Sequence, residues 1–414
     1  MNRAVSRAVN SMGNRLLLRI VALGGVLAAH MMSPTTLRAQ VITELPDAAP
    51  TSDATPPPSA TTTASSGANG ANTASGETIA AQVGTRLTVR VQNPVAHQKL
   101  DDTASNGEAQ VILAGKVHPL LSWQAGFIGS YGSPPGATNH NAAVLDLVGK
   151  VDIAEAFHLW LGRMPIPSDR AGLSTVWTMA PWTLPGRYND YAVLPPAAGP
   201  RQGEYDRGDG ITLWGQWAAG KLKYYLGVFG LEQPLKSPLY TGRLCLNLLT
   251  PEPGFFTSST YYGSQDVLAF GVGGQHQTSG SLELAPFVQS DFNELNADIL
   301  FEKNGGAAGV IDVEASLAKQ WGDAEPYAYQ WFALVSYLLP IDIGIGRFQP
   351  LLRVEHATGG PTAGGTGSTR VDAQLGYLID GHHARIVTVY QYTSLQGETE
   401  TAILLGLQLL SRVR

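Results

Sequence analysis

The residues of this chain that could do chemistry are charged side chains spaced by twos. The basic ones are Arg86, Arg90, Lys116, Lys150, Lys221, Lys223, Arg243, Arg347, Arg353, Arg370 and Arg385. Asp146, Asp152, Asp298, Glu302, Asp312, Glu314, Glu355 and Asp372 share their parity. Even spacing puts such residues on one face of an extended segment. That face carries 11 cations against 8 anions, although the whole chain has a formal charge of −6. Residues up to 249 supply 7 of the cations and 2 of the anions, and the later ones 4 and 6. This chemistry is electrostatic. Basic groups lining a water-filled passage favour anions, and an uneven wall sets up a transverse field. The same charges would equally serve as pairs between neighbouring strands that only keep the passage wet. Lys221 and Lys223 are both expected in water.

Bond-making chemistry has little to stand on. Neither G-x-S-x-G nor H-E-x-x-H occurs, so the chain is not read as an enzyme and no catalytic residue is assigned. His382 and His383, beside Asp380, read as a solvated turn, because a metal needs three or four converging ligands. No metal or cofactor is expected. The glycine-rich run from Gly359 to Gly367 lacks the Lys-Ser/Thr of a phosphate loop and reads as a flexible surface loop. Cys245 is the sole cysteine, which excludes an intramolecular disulfide and a Cys-based zinc cluster. It reads as a small buried residue. No basic surplus points to nucleic acid.

The elements that position the charges are strands. Arg86 to Val91 alternates polar and apolar without a break, as does Asp312 to Leu317. Lys221 to Leu226 does the same with Tyr225 on the polar face. Such segments recur at 84–93, 110–117, 121–130, 142–152, 157–166, 211–219, 221–230, 240–249, 266–277, 295–303, 309–320, 328–339, 345–356, 369–380, 383–394 and 399–411. That makes 16 strands, each about long enough to cross a bilayer when tilted. The third and twelfth alternate poorly. The apolar parity includes Leu87, Val89, Leu145, Leu147, Leu226, Leu244, Leu317, Leu375 and Leu405, with no charge at mid-strand. Such a face suits lipid or a sandwich core. Composition favours lipid: only 14% of residues are charged, with 47 Gly and 15 Tyr. No spanning helix is expected beyond the N-terminus.

The connections point the same way. Tight turns fall at Pro119, Ala219-Gly220-Lys221 and Asp380-Gly381-His382. Long segments, assigned to the opposite rim, are Ser168–Gly210, Thr250–Gln265, Thr278–Leu295 and Ala357–Ser368. The expected fold is all-β: a transmembrane antiparallel β-barrel of about 16 strands, spanning residues 84–414. Residues 1–39 read as a signal peptide, with Arg3, Arg7, Arg15 and Arg19 before the apolar stretch from Ile20 to Ala29 and cleavage after Ala39. Residues 40–83 read as a disordered linker. From Pro46 to Ala80, 31 of 35 residues are Ala, Ser, Thr, Pro, Gly or Asn, which bury too little apolar surface to offset ordering entropy.

The Ser168–Gly210 loop carries Trp177, Trp182, Tyr188, Tyr191 and Tyr205. Such a loop packs either inward on the wall or as an outer cap. Several segments resemble the phosphate-selective porin O/P family of outer-membrane proteins. They are Leu161 to Ile166, Phe292 to Lys303, Arg347 to Arg353, the hairpin Leu375 to Ile386, and Thr401 to Leu410. The resemblance implies a 16-stranded porin, typically a homotrimer, in the cell outer membrane of the Gram-negative type. It implies a constriction by the loop after the fifth strand, with Arg170, Arg187, Arg201, Trp177, Trp182 and Tyr188 at the narrowing. The expected partners are outer-membrane lipid and small anionic, phosphate-like solutes. The loop also carries Asp169, Asp190, Glu204, Asp206 and Asp209 and no lysine, unlike the clustered Lys and Arg of the family's constriction. The expected function is a water-filled channel for passive diffusion. The alternative is a structural or adhesive barrel without a main transport role.

Overall fold

A computed structural model describes residues 78–92, 103–133, 139–185, 207–230, 237–282, 289–322, 327–359, 367–395 and 398–411. The expected signal peptide and most of the linker lie outside the described residues. The chain forms one closed antiparallel barrel in which each strand pairs with its sequence neighbours. The strands are β1 (Thr78–Gln92), β2 (Thr103–His118), β3 (Leu121–Ser133), β4 (Asn139–Ala154), β5 (Phe157–Pro165), β6 (Arg207–Trp217), β7 (Leu222–Gly230) and β8 (Leu239–Asn247). They continue with β9 (Val267–Leu282), β10 (Gln289–Asn304), β11 (Val310–Trp321), β12 (Tyr327–Leu338), β13 (Arg347–Gly359), β14 (Ser368–Asp380), β15 (Ala384–Leu395) and β16 (Glu398–Leu410). The seam runs from Gly84 opposite Leu410 to Gln92 opposite Ala402. β1 begins at Thr78, and its first residues pair with the end of β2, Thr78 facing Lys116.

Exposure decides what the apolar face meets. Leu226 is 56% exposed, Leu244 52% and Leu405 53%. A sandwich core would bury these side chains, whereas a barrel in a bilayer points them at lipid. The polar parity is buried instead: Arg243, Arg353, Arg385, Glu302, Asp312 and Gln408 all face the interior. Among the described residues no helix is long and apolar enough to cross a membrane.

Three details depart from the sequence reading. Leu145, assigned to the lipid face, is buried. Gly126 pairs with Asp146 and Phe127 with Val144, so Leu145 is an unpaired bulge residue turned inward. β12 alternates poorly because its lumen face is apolar too: Phe332 and Leu334 pack on Ala171 and Ala180 of the β5–β6 connection. The third concerns Thr250–Gln265. In a meander of antiparallel strands, all connections leaving even-numbered strands share one rim. The tight turns after β2, β4, β6 and β14 are there, and so is the connection after β8. Residues 248–266 therefore enter from the short-turn rim, opposite to the long-loop rim expected for them. Their length is explained by where they go, which is into the barrel. Thr278–Leu295 is mostly strand, belonging to β9 and β10.

The lipid face gives a direct test. Leu226→Arg puts a guanidinium against hydrocarbon and should cost roughly 2–4 kcal/mol near mid-bilayer. Folding titrations into lipid vesicles should show this loss, and an unchanged midpoint would remove Leu226 from the lipid face.

Candidate functional site

Among the described residues the lumen holds two irregular segments, and irregular backbone inside a barrel needs a polar partner for each buried N–H and C=O. The first insert, residues 166–185, leaves the end of β5. Asp169 caps the short helix α1 (Arg170–Leu173) by accepting from the Gly172 N–H at 3.0 Å. Its other oxygen accepts from Ser316 Oγ of β11 at 2.8 Å. Every residue of α1 is buried.

The wall supplies donors to the carbonyls of this insert. Arg243 donates to Ser168 O at 3.1 Å, and Arg353 to Thr183 O. Arg385 reaches Met179 O at 2.6 Å and Ala180 O at 3.2 Å. Gln374 also donates to Ala180 O, and Gln408 to Trp177 O, both at 3.0 Å. Arg86 donates to Trp182 O. Trp177 and Trp182 then seat their rings on bare backbone. A Cβ at Gly84 would stand 2.8 Å from Trp177 Cη2, and one at Gly406 would stand 2.4 Å from Trp182 Cε2. Only glycine leaves room for these rings.

The second insert, residues 248–266, is gripped from the other side. Lys223 donates to Gly254 O and Tyr225 Oη to Phe255 O, both at 2.8 Å. The Phe255 ring stacks on Trp160 with centroids 4.2 Å apart. The acidic half of the wall does the complementary work. Glu302 accepts from Thr260 Oγ1 at 2.9 Å and from the N–H groups of Tyr261 and Gly263. Glu314 accepts from Ser259 Oγ.

The inserts meet inside the barrel. Ser174 and Thr257 form a parallel bridge. Thr257 N–H donates to Leu173 O, and Ser259 N–H to Thr178 O, each at 3.2 Å. At the centre, Arg170 makes a two-pronged pair with Glu252, both contacts at 2.6 Å, with the side chains 0% and 1% exposed. Burial alone would raise the Glu252 pKa, but Arg170 outweighs it and holds the carboxyl at about 2.

The expected site residues distribute as follows. Arg170, Trp177 and Trp182 are in the first insert, whereas Arg187, Tyr188 and Arg201 lie outside the described residues. Arg207 and Asp209 belong to β6, where Arg207 pairs with Asp146 at 3.2 Å. Of the basic wall residues, Arg86 meets Glu108, Arg90 meets Glu400, and Arg243 meets Asp298. Arg353 and Arg370 share Asp372. Lys150 donates to Gln124 and lies over the Trp160 ring. Arg347 stands 3.9 Å from Asp342 at the short-turn rim. Lys116 and Lys221 are exposed, the latter in the turn before β7. Lys223, expected in water, is 1% exposed because the second insert covers it.

His382 is likewise not solvated. It is buried, donates from Nε2 to Thr260 O at 3.0 Å and lies against Tyr262. Burial, then the charge of Arg385, push its pKa down to about 3. Cys245 packs with Val267, Ala269 and Leu300. Glu252 and Phe255 carry no sequence signal, since neither lies in an alternating segment.

Solved structures share this architecture. OmpF of Salmonella typhi, in complex with daunomycin, matches with a TM-score of 0.54 at 11% identity over 81% of this chain and 97% of that one. OmpTdeltaL8, an outer membrane protein of Vibrio cholerae, matches at 0.51 and 13% over 81% and 99%. Pseudomonas putida OprB, in its high-pH structure, matches at 0.51 and 10% over 81% and 94%. No protein-family model matches the chain, and no curated protein matches it. The closed barrel, its apolar outer band and its polar, occupied lumen define an outer-membrane β-barrel of the Gram-negative type. Within that class it has the fold of the porins.

Two outcomes follow. Gly406→Ala should unseat Trp182, giving tryptophan fluorescence more open to iodide quenching than in Gly242→Ala, which changes an outward-facing glycine paired with Leu226 where a Cβ meets only ordinary contacts. Equal quenching would deny the socket. The second outcome concerns acid. His382 titrates near 6.5 when exposed and near 3 when docked, so its contribution to docking is complete above pH 6.5 and is lost as pH falls toward 3. Glu252 adds a loss between its ordinary 4.5 and about 2. Amide exchange at Ser259, Tyr261 and Gly263, corrected for intrinsic rates, should lose more protection between pH 7 and pH 4 in the parent than in His382→Gln, while Glu302 and Glu314, which accept from the same segment, act equally in both. An equal loss in the two would show that His382 does not govern docking.

Proposed function

We propose that this barrel is a porin for passive diffusion of small solutes, with a bias toward anions. The observation that carries the reading is a polar lumen wall narrowed by an insert held across its interior from residues 166–185. In this reading the space left between insert and wall is a restricted aqueous route for small solutes. The insert follows the fifth strand, as in the phosphate-selective porin O/P family that the Leu375–Ile386 hairpin resembles. The phosphate-like solute class and a homotrimeric assembly are extensions of that resemblance. Arg170, Trp177 and Trp182 are assigned to the constriction.

The anion bias rests on cations whose charge no carboxylate cancels by contact. Among the described residues, the hydrogen bonds of Arg385 run to neutral groups: Gln408, Tyr262 and two carbonyls of the insert. Lys116 and Lys221 add exposed charge at the short-turn rim. Most other basic wall residues are engaged with carboxylates, so the bias is weak. The structural or adhesive reading remains the alternative, favoured by how much of the lumen the two inserts occupy.

Purified protein in a planar bilayer under a salt gradient separates these readings. The reversal potential should carry the sign of anion preference. Lys116→Glu with Lys221→Glu should move it toward cations, without refolding cost because both side chains are exposed. The shift should shrink as salt rises, since charges are screened over about 8 Å at physiological ionic strength. Cation preference in the unaltered protein refutes the bias, and absence of conductance favours the structural reading.

A further inference from the structure

We infer that residues 248–266 form a strut that sets the width of the channel, with Arg170–Glu252 as the joint through which it acts. The inference rests on the channel reading, and it gives the short-turn rim a part in a constriction formed by a loop from the opposite rim.

The geometry is that of a prop. The strut is fixed to the wall at both ends: to β7 through Gly254 and Phe255, and to β10 through Thr260, Tyr261 and Gly263. Its middle presses on the first insert. Arg170 spends three contacts on the strut, two on Glu252 and one on Ser258 O at 2.8 Å. Thr257 Oγ1 donates to Arg170 O and Ser258 Oγ to Thr178 O, each at 2.9 Å. Tyr261 Oη donates to Glu252 at 2.6 Å and fixes the carboxylate from behind.

The joint is a buried ion pair, so removing one partner leaves the other charged and desolvated. Water must then enter, and the helical turn of the first insert loses its support from below. Its remaining holds are on the wall: Arg243 of β8 at Ser168 O, Arg353 of β13 at Thr183 O, and Arg385 of β15 at Met179 O and Ala180 O, the last also bonded to Tyr262 of the strut. The insert therefore relaxes toward the wall and widens the route.

The test is single-channel conductance with Glu252→Ala, Arg170→Ala and the milder Tyr261→Phe, which removes only the supporting hydroxyl. The exchange of both charges, Arg170→Glu with Glu252→Arg, is the rescue. Heat-dependent gel mobility verifies closed barrels throughout. Expected are a several-fold rise in conductance for Glu252→Ala and Arg170→Ala, a smaller rise for Tyr261→Phe, and partial return in the exchange variant. A conducting parent with unchanged or lower conductance in all three variants overturns the strut and leaves the channel reading standing. A silent parent with conducting variants supports the strut and overturns the open-channel reading. Silence in parent and variants overturns both.

Discussion

The fold depends on one constraint: non-repetitive backbone buried in a barrel must find hydrogen bonds away from bulk water. A strand satisfies its neighbours on either side, so the wall itself has no spare backbone groups facing inward. Only its side chains can serve what lies in the lumen. This explains why the interior is rich in Arg, Gln, Asp and Glu and why they sit where they do. Guanidinium and amide groups of β13 to β16 answer carbonyls of the first insert. Carboxylates of β10 and β11 answer N–H and hydroxyl groups of both inserts. Charge that reads in the sequence as lining for a passage is in large part scaffolding for the two inserts in the lumen.

Apolar packing inside the barrel is local and directional. Trp160, Met164, Trp214, Tyr225 and Phe229 of the wall gather with Phe255 and Phe256 of the second insert, and Ile166 and Leu173 join from the first. Two opposite insertions thus share a small core of their own. Dispersion and burial hold that core, while the polar contacts fix which backbone atom faces which wall residue.

The barrel was legible because its signal is periodic. Alternation over about ten residues, repeated sixteen times, identifies strands, and a charge-free parity identifies the lipid face. The signal fails where the other face is apolar as well, as at Phe332 and Leu334. It also fails where one residue is added, as at Leu145, since a bulge reverses parity in a way that no local pattern records. The lumen contents were harder. Trp177 and Trp182 drew notice as aromatics in a long loop. Glu252, Phe255 and the covering of Lys223 and His382 could not be read, because each depends on a partner distant in sequence. The rim of residues 248–266 is set by parity alone, since every connection that follows an even-numbered strand leaves from the rim of the tight turns.

The first insert also lies across the line where the barrel closes. Gly84 and Gly406 belong to β1 and β16, the strands that join last and first residues of the ring. Trp182 Nε1 donates to Thr88 of β1 at 3.1 Å while its ring rests on β16, and Gln408 of β16 holds Trp177. The insert therefore acts as a clasp. The sockets exist together only when the two edges are zipped in register, since a slip of one residue would turn the glycine of the slipped strand toward lipid. Order of assembly follows: the ring must shut in its proper register before the insert can lock. Once locked, the interior fastens the edge strands against peeling apart.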